Sequence, residues 1–434
     1  MLGRVLYERA LAAGPDAELL AAADMRFAAA GAAADPELRR DCAVRRAETL
    51  IRLSTLRDEA GALREARAAL EPLAGPAPGA GGGAGDGGDG IPAPYPELHL
   101  ALGRVLLALL PRTPDPAERT ALAEQAAARL AAALIATPAG PGAPVRTGPG
   151  TAQVRVELAD ALRHLPGRLE EAAGQLEAAL AEVGGDPELR VTALVCLARV
   201  HRERYARDAD PVALEDAAEA YGRARRLIPR DAEAFAELLP EWGDVLLDRA
   251  RAADGRRFTG AAVRVLRESR AAVAQSDPGA AHRLLRLATG LRLRHTYEGD
   301  PVDLREAEYL LELAVRHSRD PLEQARVWRD HGDVQQEIHG HTRALERLDR
   351  AADSYRRAWR AALEADVEDR ADTAVQLAAR VQQLRGDVLE RLARPRAALD
   401  AYRSALELWT RTHEGAAGRS EAVRARIAAL EAAL

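Results

Sequence analysis

The chain has 434 residues, and its 61 basic and 67 acidic residues give a formal net charge of -6 at pH 7. None of the basic residues is lysine, which excludes a P-loop nucleotide site, a pyridoxal Schiff base and a protein kinase active site, because each depends on a lysine side chain. Aromatic residues make up only 3%, while Ala, Leu, Arg and Glu favour helices. The composition therefore predicts an almost all-α protein, and its mixed charges give no overall attraction to nucleic acid.

The N-terminal stretch carries Arg4, Glu8 and Arg9 within its apolar run, which is not typical of a signal peptide. The sequence has no run of 18 or more apolar residues, so we expect no membrane-spanning helix. Cys42 and Cys196 lie in apolar-periodic stretches and are expected to be buried free thiols, with a disulfide between them as the alternative. Together these features predict a cytoplasmic protein.

A small residue, a large apolar or aromatic residue four positions later, and a second small residue three positions after that recur along the chain. This spacing places all three side chains on one face of a helix, where the small residues allow another helix to approach closely. From the fourth set onward the first members lie 44 to 47 residues apart, so we predict one repeated structural unit. The nine sets are Ala23/Phe27/Ala30, Ala66/Leu70/Leu73, Ala126/Leu130/Ala133, Ala172/Leu176/Ala179, Ala217/Tyr221/Ala224, Ala262/Leu266/Ser269, Ala307/Leu311/Ala314, Ala351/Tyr355/Ala358 and Ala398/Tyr402/Ala405.

Each set is preceded by another apolar stripe, which in the last unit begins at Leu377 and ends at Leu392. The repeating object is therefore predicted to be a pair of helices. Asp-Pro dipeptides mark the helix starts, with Asp as the N-cap and Pro at the first helical position. They stand before first helices at Asp35, Asp186, Asp277 and Asp320, and before second helices at Asp115, Asp210 and Asp300.

Two glycine- and proline-rich segments interrupt the pattern, and such composition is typical of loops. In the last helix Ser420 is the predicted N-cap, and Val423, Ile427 and Leu430 form the apolar stripe that a terminal capping helix needs. We predict helix pairs over 1–74, a flexible loop over 75–94, one pair over 95–137, a linker over 138–150, an array over 151–415 and a capping helix over 416–434.

The pairs resemble tetratricopeptide repeats, whose first helix carries W-x2-L-G-x2-Y and whose second helix carries A-x3-F and a later small residue. The resemblance implies a right-handed helical-hairpin solenoid of about nine pairs with a capping helix, although the period is longer than the family's usual length of about 34 residues. The long repeats are also similar to arrays associated with bacterial CHAT-protease proteins. The glycine position of the first helix is matched at Gly103, Gly243, Gly290, Gly332 and Gly386, and alanine takes this position at Ala159 and Ala198.

Candidates for catalysis, cofactor binding or metal binding are few. Residues 79–84 satisfy a relaxed dinucleotide fingerprint, but the sequence predicts neither the strand before it nor the helix after it that such a site needs. His331, His339 and His341 form the densest histidine cluster, yet their spacing fits zinc only loosely, so we expect helix-end and interface histidines. The sequence therefore predicts no enzyme, no cofactor and no metal site.

Tetratricopeptide arrays commonly bind partners on the surface of their first helices, at positions six and three before and one and four after the glycine. The resemblance therefore implies a partner-binding surface on which arginine recurs, and guanidinium groups suit the carboxylates of an acidic or C-terminal peptide. A solvated, mixed-charge surface is the alternative. The candidate binding residues are Arg199, Arg202, Arg294, Arg326, Arg329, Asp333, Arg380 and Asp387, with Leu291, Gln336, Gln383 and Glu390 at further positions of the same kind.

We therefore predict a non-enzymatic scaffold or adaptor that docks a partner protein or peptide, with a separate CHAT-like protease or regulator as one class of partner. No nucleic-acid or membrane partner is expected. The alternative is a regulatory sensor that binds a small ligand or signal peptide and controls a separate effector, such as a protease or transcription factor. The family's chaperone-tail clamp is excluded, because it uses asparagine and lysine and this sequence has neither.

Overall fold

The protein is described by a computed structural model. It covers residues 2–12, 16–32, 35–57, 60–75, 95–135, 150–229, 233–252, 255–274, 276–365, 371–412 and 416–434. The predicted loop over 75–94 and the predicted linker over 138–150 lie outside these residues, apart from Gly75 and Gly150. The predicted segment boundaries as a whole stay predictions.

The chain forms two compact units, and every regular element of the described residues is helical. Unit 1 (Met1–Leu227) contains α1 (Leu2–Ala12), α2 (Ala17–Ala32), α3 (Pro36–Arg57), α4 (Ala60–Ala74), α5 (Pro96–Leu109), α6 (Pro116–Ile135), α7 (Thr151–Leu162), α8 (Leu169–Glu182), α9 (Pro187–Asp208) and α10 (Pro211–Leu227). Unit 2 (Ile228–Leu434) contains α11 (Glu233–Arg251), α12 (Arg256–Ala271), α13 (Ala280–Glu298), α14 (Pro301–His317), α15 (Pro321–Thr342), α16 (Leu345–Glu364), α17 (Ala371–Arg391), α18 (Pro395–Arg411) and α19 (Ala416–Ala433).

Within each unit, consecutive helices pack against each other as hairpins. Nine such pairs, α1 with α2 through α17 with α18, are formed by the described residues, and α19 packs on the last of them. This confirms the predicted all-α helical-hairpin solenoid with a capping helix. None of the described helices is both long and apolar enough to cross a membrane.

The recurring small–large–small sets lie on the second helix of each pair and supply much of the core. From the third set to the ninth, all three side chains are buried. The first two sets depart at their last position, because Ala30 is exposed and Leu73 is only half-buried. The core of unit 2 includes two residues of this kind, Tyr355 and Tyr402, beside Trp409.

Six of the seven predicted Asp-Pro helix starts are confirmed, since each aspartate accepts a hydrogen bond from a backbone N–H of the first turn. The exception is Asp277. Its carboxylate accepts from the Gly279 N–H at 2.7 Å, and α13 begins only at Ala280. The predicted N-cap at Ser420 is also wrong, because α19 already begins at Ala416; Ser420 is instead a buried residue within the helix.

Glycines of two first helices let a tyrosine of the second helix cross at very close range. A Cβ atom added to Gly332 would lie 2.5 Å from a ring carbon of Tyr355, and one added to Gly386 would lie 2.6 Å from a ring carbon of Tyr402. Only glycine leaves room for these rings, because contacts of that length are far inside van der Waals distance. The tyrosine hydroxyls thereby reach polar side chains of the first helices while the tyrosines stay buried.

Candidate functional site: the first-helix surface of unit 2

Tyr355 connects the candidate binding positions of α15 to the core. Its hydroxyl donates to Asp333 Oδ1 at 2.6 Å and accepts from the Gln336 side-chain amide at 2.7 Å. These partners stand one and four positions after Gly332, so two of the predicted binding positions on α15 are joined by one tyrosine. Burial and the Asp333 carboxylate both raise the pKa of Tyr355, and the phenol stays a donor at neutral pH.

The same arrangement is repeated one pair later. The Tyr402 hydroxyl lies 2.6 Å from Asp387 Oδ1 and 2.7 Å from Glu390 Oε1. Asp387 and Glu390 again follow the glycine, here Gly386, by one and four positions. Burial, together with hydrogen bonds to the two carboxylates, raises the pKa of Tyr402. The two tyrosines therefore fix the orientation of the polar side chains on both first helices.

Hydrogen bonds continue from these residues to the neighbouring first helices. Arg391 of α17 donates to Gln336 Oε1 at 2.8 Å, and Arg292 of α13 forms an ion pair with Asp333 Oδ2 at 3.4 Å. With the two bonds of Tyr355, this gives one directional chain of donors and acceptors, running from Arg391 through Gln336 and Tyr355 to Asp333. We call these side chains, together with Arg292, the first-helix row.

Arg292 is paired with carboxylates inside and beside the first-helix row. Arg292 also bonds Glu337 Oε1 at 2.7 Å. Burial opposes the charge of Arg292, but its hydrogen bond with Glu337 and the nearby carboxylates raise its pKa. Burial raises the pKa of Asp333, an effect that Arg292 partly offsets. Neither Arg292 nor Asp333 therefore offers an unpaired charge to a partner.

Three predicted arginines lie on the N-terminal side of the row. Arg326 and Arg380 stand six residues before the glycines of α15 and α17, and both are exposed. Among the described residues, Arg326 has no hydrogen-bond or ion-pair partner, and Arg380 makes only a long contact, 3.5 Å, to Gln383. Arg329 differs, because it is bonded to the carboxylate of Asp330 at 2.5 Å.

The positions predicted around Gly290 are out of register with the surface. Leu291 is fully buried, and Arg294 forms a bidentate pair with Asp303 of α14, at 2.8 and 2.5 Å. A Cβ on Gly290 would meet Leu266 of the preceding pair at 3.1 Å. This glycine therefore does not lie where α14, the second helix of its own pair, crosses α13.

A shift of two residues restores the register of α13. In the pair of α15 and α16, Gly332 stands 19 positions before Ala351, the first alanine of the small–large–small set. The same step back from Ala307 gives Ala288 in α13, which is fully buried. Four positions after Ala288 stands Arg292, the residue that joins the first-helix row.

Arg199 and Arg202, the remaining candidates, belong to α9 of unit 1 and are half-buried. Each has a polar or electrostatic partner. The charge of Arg199 is one of the influences that lower the pKa of Glu203, against the larger effect of burial, which raises it. These two residues therefore lie in a different unit from the other candidate arginines.

His331 belongs to a polar cluster in the interior of unit 2. Its Nδ1 lies 2.9 Å from the Ser354 hydroxyl, and burial lowers its pKa to about 4. His331, Glu308 and Glu312 bring possible metal ligands within 4.8 Å of one another. Glu308, however, already accepts a hydrogen bond from Arg347 at 2.6 Å, so we interpret the group as a polar contact between helices.

The other two histidines of the predicted cluster lie at the end of α15. His339 Nδ1 is 3.0 Å from the Ala344 carbonyl. His341 Nε2 is 2.8 Å from His295 Nε2, and His295 Nδ1 is 2.7 Å from the carbonyl of Asp300. Because a carbonyl only accepts, His295 donates through Nδ1, and in its neutral form it accepts from His341 at Nε2. His339 therefore makes a contact at the end of α15, and His341 makes a contact between helices.

The nine helix pairs and their small–large–small second helices define a tetratricopeptide-like helical repeat protein. No protein-family model and no curated protein matches the sequence. Among solved structures, the chain is similar to a thermophilic tetratricopeptide repeat protein of Thermus thermophilus, with 21% identity and a TM-score of 0.31 over 52% of this chain and 98% of that one.

A second similar structure is the human IFIT1 dimer with m7Gppp-AAAA, with 15% identity and a TM-score of 0.42 over 86% of this chain and 72% of that one. A monomeric IFIT1 mutant with Gppp-AAAA gives 14% identity and a TM-score of 0.40 over the same shares. We base the tetratricopeptide-like fold on the helix pairs themselves.

Proposed function

We propose that the protein is a non-enzymatic scaffold that docks an acidic segment of a partner protein on the first-helix surface of unit 2. One observation carries this proposal. Arg326 and Arg380 occupy equivalent positions on neighbouring first helices, are exposed, and have no carboxylate partner among the described residues.

Most arginines around them are already paired with carboxylates. Arg292 bonds Glu337 at 2.7 Å, and Arg286 bonds Asp244 at 2.5 Å. Two unpaired guanidinium groups at the same repeat position therefore offer a partner two charge-assisted hydrogen-bonding sites. Because the first-helix row beside them is held by its own hydrogen bonds, a partner would meet side chains that are already ordered, which lowers the entropic cost of binding.

The favoured ligand is an acidic segment of a protein. We propose a separate CHAT-like protease or a regulator as the class of partner protein to test first. We also propose a cytoplasmic location. Docking onto exposed arginines depends on charge, so affinity should fall as salt is raised.

A fluorescence-anisotropy titration tests the proposal with a labelled decapeptide rich in glutamate and leucine. Its glutamine counterpart and a single-stranded oligoadenylate serve as comparison ligands. We expect the acidic peptide to bind at least tenfold more tightly than the glutamine peptide. Preferential binding of the oligoadenylate would contradict a protein partner, and equal binding of both peptides would contradict charge recognition.

Variants locate the binding surface. Reversing Arg326, Arg329 and Arg380 to glutamate should weaken the acidic peptide at least tenfold while the helical circular dichroism is retained. The control reverses three exposed arginines of unit 2 that lie outside its first helices and so changes the net charge equally. We expect it to alter affinity by less than twofold. An equal loss in both triple variants would show that only net charge matters and would refute the assigned surface. The control residues are Arg319, Arg396 and Arg424.

A further inference from the structure

A cavity of about 190 Å³ lies where the end of α12 meets the start of α13 and the end of α14. It is distinct from the first-helix row. Arg270, Arg283 and His317 supply its polar lining, and its apolar lining includes Ala280, Leu284 and Leu313. Among the residues that the structure describes, no acidic side chain lines it. The lining therefore combines two arginines and a histidine with apolar side chains.

The late start of α13 shapes this cavity. Asp277 does not act as the N-cap but bonds the Gly279 N–H, and the Ala280 N–H donates to the Asp277 carbonyl at 3.0 Å. The chain thus makes an additional turn before α13. Asp277 also partly offsets the lowering of the pKa of Arg283 by burial, but it is not among the lining residues.

Arg270 lacks the carboxylate partner that its neighbour on α12 has. Arg267, one turn earlier, bonds Glu306 of α14 at 2.6 Å. Among the described residues, Arg270 and His317 make no hydrogen bond or ion pair. Arg270 and His317 therefore line one cavity together with Arg283 and have no polar partner of their own among the described residues, which makes the cavity a candidate site for an anion.

Arg283 is held rigidly at the wall of the cavity. Its Nη1 donates to the Ala236 carbonyl at 3.0 Å and to the carbonyl and hydroxyl of Ser269 at 3.2 and 2.9 Å. These bonds use one nitrogen of the guanidinium group, and the described residues place no acceptor on Nε or Nη2. An arginine whose orientation is fixed in this way loses little entropy when it binds a ligand.

We propose that this cavity binds a carboxylate attached to a short aliphatic group. The three polar groups would bind the carboxylate, and Ala280, Leu284 and Leu313 would contact the aliphatic part. Since a water molecule occupies about 30 Å³ of the liquid, a cavity of about 190 Å³ has room for at least six non-hydrogen atoms. That is the size of a four-carbon carboxylate, either as a free acid or as the C-terminal end of a peptide chain.

Isothermal titration calorimetry of the full chain tests the site with butyrate and with butyramide, its uncharged counterpart. We expect butyrate to bind and butyramide to bind at least tenfold more weakly, because only the acid forms charge-assisted hydrogen bonds. An acetylated tripeptide ending in valine, with a free carboxylate or with an amide, distinguishes the two sources. Binding of the free-carboxylate peptide assigns the cavity to a chain terminus, and binding of butyrate alone assigns it to a small acid.

Matched variants tie any binding to the cavity. Arg270→Ala and His317→Ala should each weaken the carboxylate about tenfold, whereas Arg267→Ala, on the same helix but outside the cavity, should change affinity less than twofold. Ala274→Trp places a large side chain at an exposed part of the lining and should abolish binding without removing a charge.

Equal affinity for acid and amide, no binding of either acid, or an equal effect of Arg267→Ala would overturn the proposal. It does not depend on the docking surface of unit 2. The triple reversal of Arg326, Arg329 and Arg380 should leave carboxylate binding in the cavity unchanged, so the two proposals fail separately.

Discussion

The hydroxyl of Tyr355 donates to the carboxylate of Asp333 at 2.6 Å although the tyrosine as a residue is fully buried. The ring crosses α15 at Gly332 and brings one polar atom from the core to the polar side chains of α15. Tyr402 and Asp387 repeat this relationship in the next pair. Core packing and the order of the surface are thus coupled through single side chains.

Replacing Tyr355 with phenylalanine tests that coupling. The change removes the hydroxyl that donates to Asp333 and accepts from Gln336, and it leaves a partly buried carboxylate with fewer partners. We expect the free energy of unfolding to fall by about 1–2 kcal/mol. All four tryptophans lie in unit 2, so their fluorescence during urea unfolding follows that unit. Tyr309→Phe is the control because Tyr309 is exposed, and an equal loss there would contradict the proposed coupling.

Two glycines of α15 should respond in opposite directions to alanine. In Gly332→Ala the new methyl group would meet the Tyr355 ring at 2.5 Å, and overpacking of a buried ring typically costs about 1–3 kcal/mol. Gly340 has nothing within 4 Å of its Cβ position, so Gly340→Ala should stabilise the helix by about 0.5–1 kcal/mol. Urea unfolding of both variants measures the difference. Stabilisation by Gly332→Ala would contradict the close crossing.

His331 should make stability fall in mild acid. Burial lowers its pKa in the folded state to about 4, below the value of about 6.5 for an unperturbed histidine. The unfolded chain therefore binds more protons between these values. The contribution is fully present above about pH 6.5 and is lost as pH falls towards 4, by up to about 3 kcal/mol.

His331→Asn isolates this contribution, because asparagine keeps a polar group near the Ser354 hydroxyl but does not titrate. We expect the free energy of unfolding of the variant to decline less than that of the natural chain between pH 6.5 and 4. Above pH 7 the two curves should run parallel. Equal acid sensitivity would mean that His331 is protonated as easily in the folded chain as in the unfolded one.

The helix pairs could be predicted because their cause is local. The Ala351/Tyr355/Ala358 spacing places small and large side chains on one face whatever the rest of the chain does, and Gly332 is required by the ring that crosses it. Gly290 looked equivalent in the sequence. The structure shows that it faces Leu266 of the preceding pair, a contact that depends on how two repeats stack and not on the pattern within one.

Arginine pairing was harder to predict for a related reason. A long side chain can reach carboxylates on its own helix, its partner helix or the next pair, and three-dimensional packing selects among them. Arg292 was missed because it stands two positions after Gly290, whereas a register counted from Ala288 would have found it. The cavity beside Arg270 depends on the turn at Asp277, where an Asp-Pro dipeptide that normally caps a helix does not do so.

Arg294 is expected to contribute to stability instead of partner binding. It is bonded through two nitrogens to Asp303, which is only 2% exposed. In Arg294→Ala the buried carboxylate loses its charged partner, a change that typically costs about 3–5 kcal/mol. We expect a smaller loss of about 2–3 kcal/mol, because Arg294 is only half-buried and the start of α14 also stabilises the Asp303 carboxylate.

The double variant Arg294→Ala/Asp303→Ala separates the two explanations. Because it removes the unpaired carboxylate together with the arginine, it should recover at least half of the stability lost by Arg294→Ala, as measured by tryptophan fluorescence in urea. Affinity for the acidic decapeptide should be unchanged in the double variant. A tenfold loss of affinity without a loss of stability would instead return Arg294 to the docking surface, with its pairing to Asp303 giving way when the peptide binds.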